Sequence, residues 1–318
     1  REVLNGRLTP AEGSSRIGAI ETAPPRYGAI ARTAAFGVVS GGAARFLGGG
    51  GHEIVVAAAI GLVIGVLALL TERRRAFSGV FEPLAAFAAS FLASAIASTG
   101  FPVSVFLATL SGVIVLIPGL MLTTAMTELS TRHLASGTAR FMGALVLLLG
   151  IAFGIALGAK TGNLVIGAPR PSVVVPLPGW TLLLAIIVSP VGFAVLLKAE
   201  PRDVPWIIMA GIVAFAGARV GSDTLGAELG AFVGGVMTGV GANWYARLTN
   251  RPAQIALVPG LLLLVPGSVG LQSLASLLDR DVQVGVETAF RMVLIAVSLV
   301  AGILIANVVS PRRRLTEK

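Results

Sequence analysis

The sequence predicts an all-α polytopic membrane protein, with about ten transmembrane helices in two inverted five-helix repeats and Pro-Gly-broken helices. Three observations predict it. Apolar residues make up 55% of the 318 and charged residues 12%, and mean hydropathy is +0.90, far from soluble averages. Uncharged runs near the ~20 residues that a bilayer demands recur along the chain. Pro-Gly pairs interrupt two of those runs at Pro118-Gly119 and at Pro259-Gly260 with Pro266-Gly267.

Residues 1–27 are polar and too few for a core. Thr9-Pro10-Ala11-Glu12 reads as a capped helix start and Pro24-Pro25 as a linker. This stretch is expected to be the end of a truncated cytoplasmic domain. Spans are expected at about 29–49, 54–71, 80–99, 103–127 and 138–159, forming a first transmembrane half over 28–160. Residues 161–179 form an outer connector with Pro169, Pro171, Pro176 and Pro178. Spans at about 178–198, 204–220, 224–245, 253–277 and 286–309 form the second half, 180–318, with a basic tail. Glycines at four-residue spacing, such as Gly150/Gly154/Gly158 and Gly226/Gly230/Gly234, suit close helix packing in lipid.

The net charge of +9 reads as membrane orientation, not as a nucleic-acid surface. With a cytoplasmic N-terminus, Arg32, Arg73, Arg74, Arg75, Arg132, Arg140, Lys198, Arg202, Arg247 and Arg251 all fall inside. The outer loops then hold only Lys160, Arg170, Arg219 and Arg280. Both termini are expected to be cytoplasmic. Five spans per half mean that homologous halves are inserted in opposite senses. Ile117-Pro118-Gly119-Leu120 and Val258-Pro259-Gly260-Leu261 read as matching breaks in the fourth span of each half.

Proline lacks an N–H and clashes with the carbonyl one turn back, so a helix breaks there and frees backbone groups. In a membrane such groups persist where protein or a water-filled cavity satisfies them. Pro118, Gly119, Thr123, Thr124 and Thr127 from one span, and Pro259, Gly260, Pro266, Gly267, Ser268 and Gln272 from the other, are expected to frame a small polar substrate cavity. Hydroxyls, an amide and freed carbonyls suit a small zwitterion. Glu128 and Glu228 are the proton-coupling candidates, since intramembrane charges demand a function or a partner. The alternatives are ion pairs, Glu128 with Arg132 and Glu228 with Arg219, while Glu287 and Arg291 read as a structural pair. Asp223 reads as a helix cap, Arg45 as a snorkelling side chain, and Asn243 as a cross-helix hydrogen bond. Trp180, Trp206 and Trp244 read as interfacial belt residues.

His52 and His133 lack ligand-spaced partners, so neither a metal site nor a cofactor is expected. Cysteine is absent. An intramembrane protease would need a serine beside a base or two opposed aspartates, and neither pattern is present, so no enzyme is expected. The partners are a small-molecule substrate, protons and the lipid bilayer, with homo-oligomerisation left open.

The stretch IPGLMLTTAMTELSTRHLASGTAR (Ile117–Arg140) resembles the bacterial threonine/serine exporter family, ThrE. So do ARTAAFGVVSGGAARFLGGG (Ala31–Gly50) and VPGLLLLVPGSVGLQSL (Val258–Leu274). The resemblance implies a soluble N-terminal part followed by two five-helix halves. It also implies export of threonine and serine across the bacterial inner membrane, driven by the proton-motive force. A dicarboxylate exporter and a membrane anchor or assembly subunit are the alternatives; the anchor predicts broken helices packed without a cavity.

Overall fold

A computed structural model describes residues 9–22, 25–73, 79–170, 172–264, 267–278 and 281–311. Those residues are helical, turn or irregular, and none is in a strand. The helices are α1 (Pro10–Thr22), α2 (Ala29–Phe46), α3 (Gly51–Arg73), α4 (Phe81–Ser98), α5 (Val105–Gly112), α6 (Gly119–Ser130) and α7 (Leu134–Val165). They continue as α8 (Trp180–Leu196), α9 (Val204–Leu225), α10 (Ala227–Thr249), α11 (Gln254–Leu262), α12 (Gly267–Leu278) and α13 (Val282–Val309).

Local chemistry sets several of these boundaries. The Thr9 amide donates to Glu12 at 2.8 Å while the Glu12 amide donates to Thr9 Oγ1 at 3.3 Å, a reciprocal capping box that starts α1. Ser104 and Asp281 accept from the amides of Leu107 and Val284 and cap α5 and α13. At Pro118 the chain cannot continue its helix, so α5, a 3-10 turn at Ile114–Leu116 and α6 form a pair bent by 44°. Pro259, by contrast, lies inside α11.

Six runs are long and apolar enough to cross a membrane: 51–72, 81–98, 134–165, 201–225, 282–309 and 254–278, the last counted from α11 and α12 together across residues 265–266, which lie outside the described residues. The bent pair α5–α6 makes a seventh. The remaining expected spans are helices too, but α8 has 17 residues and α2 and α10 dilute their hydropathy with glycine and polar side chains. The reason is enclosure. α2 packs on α3, α8 and α5, and α10 packs on α9, α13 and α11, so small residues replace leucine where neighbours press close.

Glycine governs the tightest crossings. α4 buries Ala85, Ala86, Ala89, Ala93 and Ala97 against α7. A Cβ on Gly154 would sit 2.2 Å from Pro83 O, and one on Gly158 would sit 2.4 Å from Phe87 O. In the second half, a Cβ on Gly302 of α13 would sit 2.4 Å from Phe232 O of α10. The helix pairs recur throughout. α2·α3, α3·α5, α4·α5, α4·α7 and α6·α7 are matched by α8·α9, α9·α11, α10·α11, α10·α13 and α12·α13.

The recurrence also fixes register. α6 and α12 are both 12 residues long, and bounds move at one constant offset, 119 to 267, 130 to 278 and 134 to 282. Gly137 abuts Leu129 as Gly285 abuts Leu277, at the same offset. At that offset Gly119 corresponds to Gly267, whereas the sequence alone matches Pro118-Gly119 with Pro259-Gly260. Pro266 itself lies outside the described residues.

The bundle has two recognisable ends. At the near end, where α2 begins, the Tyr27 hydroxyl donates to Ala199 O at 2.8 Å, and Arg32 pairs with Glu72. There too, Asn243 donates to Ser310 O at 2.7 Å and to Asn307 Oδ1 at 3.3 Å, the cross-helix bond expected of it. At the far end Arg45 donates to Thr181 Oγ1 at 2.7 Å, tying α2 to α8, and is more than a snorkelling cation. Glu53, 2% exposed, accepts there from the amides of Gly50 and Ser104, both at 2.9 Å, and locks α3 to α5.

A near-end ion network ties the α8–α9 connection and the start of α9 to α10 and to the α10–α11 connection. Arg251 donates to Asp203 and Glu200, Arg202 and Arg26 also pair with Glu200, and the Tyr245 hydroxyl donates to Asp203 at 2.9 Å. Trp206 stacks edge-on against Tyr245 at 5.5 Å and belongs to this packing; Trp180 and Trp244 are exposed. Arg251 and Arg202 hold the Glu200 carboxyl down to about 2. A depressed acid contributes stability fully above its ordinary value of 4.5 and loses it as pH falls through about 2. Acid titration should therefore leave these struts intact through pH 5 and weaken them only well below 4, as read by intrinsic tryptophan fluorescence.

Candidate functional site: two cavities meeting at a wall

Two cavities enter the bundle from opposite ends. The near-end cavity, about 460 Å³, is lined by Arg32, Glu72 and Lys198 towards its mouth and by Ile114, Val115 and Ile117–Met121 at the Pro118 break. The far-end cavity, about 370 Å³, is lined by Phe46, Phe215, Arg219 and Ser222, and by Leu262–Leu264 and Ser268 at the second break. Most of the lining at the Pro118 break belongs to the near-end cavity and most of that at the second break to the far-end cavity. Ile114, Phe193, Leu262 and Ser268 line both and form the wall between them. Ile114 and Leu262 are themselves separated by the offset that relates α6 to α12.

The expected site residues divide into groups. Pro118, Gly119 and Ser268 all line the near-end cavity, and of the three only Ser268 also lines the far-end cavity and belongs to the wall. Gly267 is buried at the start of α12, and Gln272 lies a turn further on, outside the linings of these two cavities. The threonines turn back into their own helix. Thr123, Thr124 and Thr127 donate to the carbonyls of Gly119, Leu120 and Thr123 at 3.0, 2.8 and 2.8 Å. Gly260 is a packing position, where a Cβ would sit 2.7 Å from Thr238 Cγ2. Pro259 lines a separate hollow of about 400 Å³ beside Glu200 and Arg251.

The acids find partners other than those read from helical spacing. Glu128 pairs with Arg140, Oε1 to Nε at 2.9 Å, and not with Arg132, which ends its helix with a left-handed φ of 66°. Its Oε2 is buried without a hydrogen-bond partner. Glu228 pairs with Arg291 at 3.0 Å, so Arg291 is not spent on Glu287, while Arg219 lies 3.6 Å from Asp223. Asp223 sits within α9 and does not cap α10, whose N-cap is Gly226.

Sequence reading missed Phe193, Ile114 and Leu262, because wall-forming apolar residues carry no chemical signature. It also missed Ser189, whose signal was present: a hydroxyl immediately before Pro190, inside an apolar helix.

Residues 1–162 match the model of the ThrE family, and residues 182–309 match a second model, described as "Threonine/Serine exporter, ThrE". The chain belongs to the ThrE family. Among curated relatives, a pheromone-regulated membrane protein 10 of Eremothecium gossypii is 28% identical over 71% of this chain and 31% of its own length. An uncharacterized protein of Schizosaccharomyces pombe is 24% identical over 92% of this chain and 36% of its own length. The chain thus spans about a third of the length of these fungal relatives, and the resemblance is not confined to bacteria. No solved structure matches. The boundary between the two ThrE matches falls between α7 and α8, where the helix-pair pattern begins again.

Proposed function

We propose that this ThrE-family chain is a secondary transporter that exports small hydroxylated amino acids, threonine or serine. In this reading the two cavities open alternately on either side of the wall at Ile114, Phe193, Leu262 and Ser268. The observation that carries it is the meeting of two cavities from opposite ends at one thin wall beside the helix breaks. An anchor without a transport role gives no account of cavities at both breaks. The family's description as a threonine/serine exporter supports the substrate class. Arg32, Glu72 and Lys198 at the near-end mouth supply both signs of charge for a zwitterion.

The recurring helix pairs support two five-helix halves, and an odd number per half supports opposite insertion with ten crossings and both termini on the cytoplasmic face. Broken helices can be completed as crossings by their partner segments, and short or glycine-rich α2, α8 and α10 by enclosure within the bundle. Protons drive export in this reading. Glu128, with one oxygen on Arg140 and the other buried and unpaired, is the better-placed carrier; Glu228 is held by Arg291 at the far end.

Proteoliposomes loaded with labelled threonine, serine or succinate and given a pH gradient test the proposal. Threonine and serine should leave faster with the gradient imposed, while succinate should not. Glu128→Gln should retain threonine exchange yet lose the acceleration by the gradient, roughly tenfold if the carboxyl is the sole carrier. Gradient-independent efflux in the unmodified chain would remove proton coupling.

A further inference from the structure

A polar patch on the far-end side of the wall includes a residue that neither break supplies. Ser189 of α8 lines the far-end cavity, is 1% exposed, and its Oγ has no hydrogen-bond partner. Buried hydroxyls are nearly always paired, so an orphan on a cavity-lining residue marks the place of a missing partner. The hydroxyl lies against α2, where a Cβ on Gly42 would sit 1.9 Å from Ser189 Oγ. Pro190, next along, has no N–H, which leaves the Ile186 carbonyl without its usual helical donor. Ser268 reaches the same cavity from α12 and also faces the near-end cavity. A solute at the wall therefore comes beside two serines, one of which needs only a rotation about its Cα–Cβ bond to bring an unpaired hydroxyl round, set among apolar side chains such as Val39, Ala43 and Phe193.

We propose that Ser189 and Ser268 bind the side-chain hydroxyl of the carried amino acid and so select hydroxylated over apolar side chains. This deepens the export reading above and rests on it. Threonine and valine have the same shape and differ by that one oxygen. A site with an unpaired hydroxyl discriminates between them because valine leaves the hydroxyl unpaired. Ser268 accompanies the solute because it is reachable from both cavities, while Ser189 is met on the far-end side alone.

Two measurements test this. In proteoliposomes, Ser189→Ala should lower the threonine-to-valine efflux ratio roughly fivefold to tenfold. Gly42→Ala should reproduce that loss, because the new methyl group displaces the Ser189 hydroxyl while α2 stays in place. An unchanged ratio in Ser189→Ala overturns the assignment. The chain has no cysteine, so Ser189→Cys gives a second readout by maleimide labelling. Slower labelling with threonine but not valine supports the pair. Protection by succinate alone keeps Ser189 as a solute contact but overturns the hydroxyl selection and, separately, the amino-acid reading. Labelling indifferent to threonine, valine and succinate while threonine efflux persists overturns Ser189 and leaves the export reading standing.

Discussion

Gly154→Leu and Gly302→Leu are each expected to abolish the folded protein. At these positions the facing element is main chain, with Pro83 O and Phe232 O at 2.2 and 2.4 Å from where a Cβ would begin. A carbonyl cannot rotate aside as a side chain can, so α7 must part from α4, or α13 from α10. Even alanine overpacks there, at about 1–3 kcal/mol, and leucine adds three further carbons to the same clash. Thermal unfolding in detergent should show a clearly lowered Tm for Gly154→Ala and Gly302→Ala, and no cooperative transition for the leucine variants. Gly241, with nothing within 4 Å of its Cβ position, is the matched control and should tolerate alanine.

Arg251→Ala should be the next most damaging change, for an electrostatic reason. Asp203 is 3% exposed and accepts from Arg251 and from the Tyr245 hydroxyl. Removing the guanidinium leaves a buried carboxylate with one neutral donor, which is the costly way to break such a pair. The loss should appear as a Tm several degrees lower at neutral pH. Pairing it with Asp203→Asn should recover much of the stability, because the stranded charge is then gone. Arg202→Ala, which removes an exposed partner of Glu200, should change Tm little.

Much of the helical framework could be read in the sequence because its causes are local. Proline at 118 stops its helix, although Pro190 and Pro259 do not stop theirs, Thr9 and Glu12 cap one, and uncharged runs mark the long apolar helices. The pairing of the breaks went to Pro259-Gly260 because two Pro-Gly pairs lie close together and only helix bounds and the Gly285–Leu277 contact fix the register. The ion pairs were misassigned for a related reason. Spacing within a helix favoured Arg132 for Glu128, whereas the fold brings Arg140 back from the next helix. The threonines after Pro118 offered hydroxyls that their own helix absorbs. The wall was invisible, since Phe193, Ile114 and Leu262 differ from core residues only in what lies on either side of them.

The central claim is that the two cavities are ends of one path closed at a single layer. Sided cysteine labelling tests it most directly in this cysteine-free chain. In oriented proteoliposomes, Lys198→Cys should react with an impermeant maleimide from one face and Ser222→Cys from the opposite face. Phe193→Cys should react from either face, with the preferred face exchanged when threonine or a pH gradient is applied. Labelling of Phe193→Cys from one face only, whatever the solute or gradient, would contradict the account.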